Sequence, residues 1–373
     1  MNPNLQIILV AIFIFILSFS LAPLSLPAQQ SYFIVKGKVI DKITKIPLQG
    51  ASVFAQNTTI GEASDENGNF SIRLPQGGYS LVTTFTGYET EELRVNNSTI
   101  GTDSIVIELS PQEKSLEEVT IAITNEVKDG WEKYGSFFIE NFIGQTQFSN
   151  LCVIKNPQAL HFYFSQKRNR LKVTATEPIV VDNFALGYTL KFAIDSFTND
   201  YNTHTNLFIG YPLFEEMKGT AENYEAWAAN RAKAYRGSML QFMRSFYSRS
   251  LQQNGFEIQF IESHEDSDVF IQPENIYRAL NYRKDDTTGI VQFYPDQKEI
   301  AVIYNGAAPE TTYLNLDAAA NKNFQSSSLI FSKNEWFSIE QNGYFYNQED
   351  VITNGYMGFK KIGDMLPYDY QPE

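Results

Sequence analysis

Residues 33 to 109 carry a pattern that only a sheet protein satisfies. Phe70, Ile72 and Leu74 alternate with polar residues, as do Tyr79, Leu81, Thr83 and Phe85, and before them Phe33, Val35 and Val39. A period of two puts one apolar face on each run, the signature of a half-buried strand. Turn formers separate the runs: Pro47, Gly50, Asp65-Glu-Asn-Gly68 and Pro75-Gln-Gly-Gly78. Glycine there supplies positive φ, and Asp or Asn bonds its own backbone. The pattern predicts strands near 33–41, 51–56, 59–64, 69–74, 78–86, 90–95 and 104–109. About seven short antiparallel strands close best as two packed sheets. The Asp65–Gly68 stretch has acidic and amide oxygens, yet it lacks the sixth-position Gly and closing Glu of a calcium loop, so it reads as a tight hairpin turn.

The order Gly37-Lys-Val-Ile-Asp41, Pro47-Leu-Gln-Gly-Ala-Ser-Val53, Gly61-Glu-Ala-Ser-Asp65, Asn67-Gly-Asn-Phe-Ser-Ile72, Gly78-Tyr-Ser-Leu81 and Gly87-Tyr88 resembles the carboxypeptidase-like regulatory domain. That module is a transthyretin-like β-sandwich found beside metallocarboxypeptidases and at the front of many TonB-dependent outer-membrane receptors. The resemblance implies a non-catalytic module and an envelope setting in a Gram-negative cell. Leu116-Glu-Glu-Val-Thr-Ile121 looks like the segment that follows the module in those receptors. A receptor barrel does not fit behind it, because about 22 strands of roughly 10 residues exceed what the remaining chain can supply alongside a helix.

Residues 1–28 read as a signal peptide: Ile7 to Ala22 is apolar but for Ser18 and Ser20, and Leu26-Pro-Ala28 offers a small residue for cleavage. No Lys or Arg precedes the run, which leaves a retained N-terminal anchor as the alternative. The expected organisation is therefore a signal peptide at 1–28, the sandwich at 31–110, a linker at 111–126 beginning at Pro111, and an α+β domain at 127–373. The linker is expected to carry few contacts. At 373 residues with 43% hydrophobic content, the chain can fill two cores.

In the second domain, Leu160–Phe164, Leu171–Ala175, Tyr188–Ile194, Phe256–Ile261, Gly289–Tyr294, Glu299–Tyr304 and Ser328–Phe331 read as strands. Ala221 to Asn254 reads as one long helix ended by Gly255, with Tyr224, Trp227, Tyr235, Met239, Phe242, Met243 and Phe246 at helical spacing. Arg231, Lys233, Arg236, Arg244 and Arg249 would give it a basic outer face able to meet an acidic lipid headgroup or partner. The segments Trp227 to Ser238 and Gly355 to Tyr370 also resemble the second half of uncharacterised envelope proteins with the same front module.

The formal charge of −14 disfavours a nucleic-acid backbone as partner. None of His161, His204 or His264 has a Glu at zinc-ligand spacing, and no His-Glu-x-x-His occurs. The run His264-Glu-Asp-Ser-Asp268 reads as a solvated loop rather than a cation site. There is no Gly-x-Ser-x-Gly elbow and no phosphate loop. Cys152, the single cysteine, lies among Leu151, Val153 and Ile154 and reads as a small buried hydrophobe; pairing with His161 would need the fold to join them. The expectation is thus no catalytic, cofactor-binding or metal residue, no cofactor, and a non-catalytic envelope scaffold that meets a protein partner by strand addition. Membrane association would come through that partner or a retained anchor. A carbohydrate or peptide binder or hydrolase, with its site in the second domain, is the alternative.

Overall fold

The alternating runs become strands, and their apolar faces meet. They are β1 (Tyr32–Asp41), β2 (Ser52–Ala55), β3 (Gly61–Ala63), β4 (Asn69–Pro75), β5 (Gly78–Thr84), β6 (Glu91–Asn96) and β7 (Ile105–Leu109) in the computed structural model. The structure describes residues 31–97, 104–112, 126–203, 205–263, 268–333 and 335–372. Two sheets, ordered β4-β1-β7 and β3-β2-β5-β6, enclose Val35, Val39, Ile72, Leu74, Leu81, Val95 and Leu109, all almost wholly buried. One pairing departs from the expected all-antiparallel scheme: β7 runs parallel to β1. The turn before Phe70 forms as read, with Gly68 at φ +78° and the Asp65 carboxylate accepting from the Asn67 and Asn69 amides at 2.9 and 2.7 Å. Gly37 faces Phe70 across β1 and β4, and a Cβ there would lie 2.4 Å from the ring.

The second region opens with a helix absent from the sequence reading, α1 (Gly130–Phe142). Behind it lie β8 (Cys152–Ile154), β9 (Leu160–Ser165), β10 (Arg170–Ala175), β11 (Ile179–Asn183), β12 (Tyr188–Asp200) and β13 (Thr205–Glu216). The long β12 pairs with β10, β11 and β13, making a six-stranded sheet. Phe138 and Phe142 of α1 pack edge-on against Phe197 and Phe192 at 5.2 and 5.1 Å between centroids, a geometry aromatic quadrupoles favour.

The expected single helix from Ala221 to Asn254 is instead two, α2 (Ala221–Tyr235) and α3 (Met239–Tyr247). Gly237 takes φ +66° between them, and Ser238 then caps α3 by accepting from the Gln241 amide at 3.1 Å. Gly255 has the left-handed φ expected of it, +80°, but α3 has already ended. The remaining elements are β14 (Phe256–Ser263), β15 (Asp268–Ile271), α4 (Ile276–Ala279), β16 (Arg283–Lys284), β17 (Val291–Phe293), β18 (Glu299–Tyr304), α5 (Thr311–Leu316), β19 (Gln325–Phe331), β20 (Phe337–Ile339), β21 (Val351–Asn354) and α6 (Gly355–Phe359). They form a five-stranded sheet, β15-β14-β18-β19-β21, and a three-stranded one, β16-β17-β20. Phe242 and Phe246 of α3 join Phe256, Phe293 and Phe331 in the core beneath these sheets.

From Tyr32 onward the described residues belong to one compact unit. Away from the expected linker, the two regions meet along a seam of direct contacts. Residues 1–30, 98–103 and 113–125 lie outside the described residues, and with them the expected leader, most of the expected linker and the segment Leu116 to Ile121. His204 and the run His264 to Ser267 lie outside them as well. No helix among the described residues is long and apolar enough to cross a membrane.

Candidate binding clefts and the seam

The sandwich is fastened to the second region through backbone. The loop after β2 lies along the outer edge of β13: the Asn57 amide donates to the Pro212 carbonyl at 2.7 Å, and the Phe214 amide donates to Thr58 at 2.9 Å. Because the carbonyl of Pro212 faces this edge, its missing N–H removes nothing from the β12 ladder. The C-terminal segment closes the same loop from above. Tyr368 donates its amide to the Asn57 carbonyl at 2.7 Å, and the Asp369 carboxylate accepts from both the amide and the hydroxyl of Thr59.

A second fastening joins β6 to the turn after β20. Arg94 meets Glu340 at 3.0 Å, with the glutamate side chain only 4% exposed, so the ion pair is largely desolvated on the second-region side. The guanidinium lies over the rings of Tyr344 and Tyr346 at 3.9 and 4.4 Å, and Tyr346 donates its hydroxyl to Glu340 at 2.8 Å. Asn342 donates to the carbonyl of Gly78 at 3.0 Å. Any side chain at Gly78 would strike Glu340, since a Cβ there would sit 2.0 Å from its Oε1.

Where sandwich, sheet, α2 and C-terminal segment meet, they leave a cleft of about 600 Å³. Its carboxylates come from Glu216, Glu225 and Asp369, and its floor from Ala228, Ala229 and Ala232. Burial pushes the Asp369 carboxyl up, against the pull of its Thr59 bonds. Both Asp369 oxygens are occupied by Thr59, and Glu216 is held by Arg231 at 2.9 Å. Arg231 also donates to the Leu186 and Gly187 carbonyls and lies 3.8 Å over Tyr188. Two of the three carboxylates are therefore joints of the structure, which leaves no free acid–base pair of them at this cleft.

A second, wider groove of about 750 Å³ lies where α1 begins. Its floor is Gly130, Leu160 and Phe162; Trp131 and His161 stand on its walls; Glu126, Asp129 and Glu132 rim it. The helix starts flush on the sheet because position 130 is glycine, a Cβ there lying 2.7 Å from Phe162. His161 Nδ1 sits 2.7 Å from Glu126. Asp129, at φ +60°, makes no side-chain cap to the first turn.

The candidate residues of the sequence reading do not converge. Cys152 pairs with Asn183 opposite Tyr188, whereas His161 lies beyond Val173 and its partner Phe197. That separation along β12 is roughly 25 Å at about 3.3 Å per residue. Burial, aided by Asp364, pushes the Cys152 thiol up to about 12, so it is no thiolate nucleophile near neutral pH. The basic outer face expected on the helical stretch is corrected too: Arg244 turns inward to the Asn342 and Tyr368 carbonyls, and Arg249 lies over Tyr277 and Tyr282. No group of His, Cys, Asp and Glu suited to a metal occurs among the described residues. The residues that do line the clefts were hidden by separation, Thr59 and Asp369 being 310 apart in sequence.

Comparison with known proteins bears on the front of the chain. The family model of the CarboxypepD_reg-like domain matches residues 35–121. Among solved structures, the chain is similar to one titled "Structure of the Streptococcal ancillary pilin", at 21% identity, over 23% of this chain and 31% of that chain, with a TM-score of 0.19. The chain thus spans under a third of that pilin's length. No curated protein matches the chain. The family match, the strand order and the turn chemistry agree: the front sandwich of this protein is a carboxypeptidase-like regulatory domain.

Proposed function

We propose that the protein is a non-catalytic scaffold of the Gram-negative envelope, in which the regulatory-type sandwich and the larger region act as one rigid body toward a partner. The observation that carries this reading is the seam. Its charged groups Asp369, Arg94 and Glu340 are consumed in bonds that hold the regions together, and Glu216 beside them is paired with Arg231 within the larger region, the opposite of what an acid–base catalyst requires. Strand addition by a partner is the mode we favour. On the open edge of its sheet, β15 exposes three successive apolar side chains, Val269, Phe270 and Ile271, at 41, 56 and 39%, and such an edge accepts a further strand.

The test is direct. The purified chain is assayed against chromogenic glycoside, ester and peptide substrates beside Asp369→Asn and Glu216→Gln. The expected result is no turnover in any of the three, with the substitutions lowering the thermal midpoint. Turnover lost in Asp369→Asn without loss of fold would replace the scaffold by a hydrolase. Expressed with its leader in a Gram-negative host, the chain is expected in the envelope fraction; recovery in the cytosol would remove the setting.

A further inference from the structure

We infer that the groove at the start of α1 is a saccharide-binding site, taking a neutral or N-acetylated oligosaccharide with Trp131 as its stacking platform. The indole is held in place: Gly135 lies so close beneath that a Cβ would be 2.9 Å from the ring, and Phe162 lies 6.4 Å away between centroids. A fixed, half-buried ring on a groove wall suits the flat apolar face of a sugar, with little side-chain freedom left to lose on binding.

The rim supplies both hydrogen-bonding senses that hydroxyls need. Glu126, Asp129 and Glu132 accept, while Lys128 and Gln158 donate. The floor of Gly130, Leu160 and Phe162 stays apolar beneath them. An extended peptide is the competing ligand, and the sheet edge argues against it. Glu126 is bridged to Tyr163, and the Val127 amide donates to the Phe162 carbonyl at 2.8 Å. The backbone edge of β9 that a peptide would pair with at the groove is already occupied by the chain itself. Recognition there falls to rings and polar side chains. The site stands apart from the seam cleft and does not rest on the scaffold reading.

The experiment titrates the full chain with cellotetraose, chitotetraose and mannotetraose, following tryptophan fluorescence and heat, with tetralysine as the cationic-peptide control. Saturable binding of at least one tetrasaccharide, unchanged between low and high NaCl, is expected. Trp131→Ala is expected to weaken it by about tenfold or more, and the exposed Glu132→Lys by a smaller factor; the second variant keeps the test open should the first misfold. Binding of no tetrasaccharide overturns the inference. So does sugar binding that Trp131→Ala and Glu132→Lys both leave intact. Tetralysine binding that collapses in salt, with no sugar bound, assigns the groove to basic peptides instead.

Discussion

The two regions of this molecule bury their interiors with different materials. The sandwich core is built on aliphatic side chains, Val35, Val39, Val53, Leu74, Leu81 and Leu109 among them, joined by the rings of Phe70 and Tyr79. The core under α1 is built on rings: Phe138, Phe142, Phe162, Phe192 and Phe197 interlock, and Phe214 packs edge-on against Tyr188 beside them. Aliphatic residues on alternating strands need only the right face toward the partner sheet. Rings need particular neighbours at particular angles, and those neighbours come from α1, β9, β12 and β13 at once. The first kind of core is a property of each strand; the second is a property of the assembled fold.

The buried carboxylates differ in the same way. In the sandwich, Asp41 accepts from the Thr44 and Ile43 amides at 2.6 and 2.8 Å and from the Tyr88 hydroxyl at 2.7 Å. The Thr44 amide bond foremost, with the Tyr88 bond next, holds its carboxyl down to about 2. In the second region, Asp364 is 5% exposed and accepts from the Thr146 hydroxyl at 2.7 Å. Burial pushes it up to about 6, although Lys360 pulls the other way. One region stabilises the charge it buries, and the other carries it at a cost.

The sharpest way to break the comparison is to empty the ring core. Phe142→Ala removes a fully buried ring, and a loss of about 3–5 kcal/mol is expected in urea unfolding. Because the seam joins the regions, sandwich and ring core are expected to lose structure in one transition; two separated transitions would show the regions to be independent. Next in size is the seam itself. Glu340→Ala leaves Arg94 without its carboxylate, and a cost of about 3 kcal/mol is expected, reduced from the fully buried case because Arg94 is 25% exposed. A thermal midpoint equal to the parent's would mean that this ion pair fastens nothing.

The carboxylates sharpen the contrast through pH. Asp364 has a folded value above its unfolded one, so its penalty is fully present near pH 7 and is relieved as pH falls through about 6 toward 3.8. Asp364→Asn is therefore expected to stabilise at pH 7 by roughly 1–3 kcal/mol and to make little difference near pH 4. Asp41 has the reverse sign. Its contribution is present above pH 3.8 and is lost as pH falls toward about 2, so Asp41→Asn is expected to destabilise at pH 7 and to lose that effect in acid. Equal pH profiles for the two variants would erase the distinction. An effect of similar size, confined to one corner, belongs to the turn. Gly68→Val meets both a φ of +78° and the Val39 carbonyl, 2.5 Å from the added Cβ, and a cost of about 1–3 kcal/mol is expected. An unchanged urea midpoint would mean the chain has another way round that corner.

Legibility followed the same division. Each sandwich strand could be read in place because its signal is local: a period of two, then a turn residue with a special φ. Strands of the second region with the same signal, such as β9, β10 and β18, were equally plain. β13 was obscured by Gly210 and Pro212, the latter tolerated because its nitrogen faces the edge and not the β12 ladder. The helical spacing of Trp131, Tyr134, Phe138 and Phe142 was present, broken up by Gly130 and Gly135, whose reason for being glycine is contact with Phe162 and Trp131. The clefts were not legible at all, since Thr59, Glu216, Arg231 and Asp369 become neighbours only when distant segments meet.

By itself, then, the sequence determined the sandwich, its turns and its family likeness, because alternation, glycine φ and Asx bonding act over a few residues and need no partner to be chosen first. Tertiary structure decided the inward turn of Arg231 and Arg244, and the conversion of Asp369 and Glu340 into fasteners. Those outcomes depend on which carbonyls, rings and opposite charges arrive beside a residue. Burial then sets the energy of each meeting, and no local pattern records it.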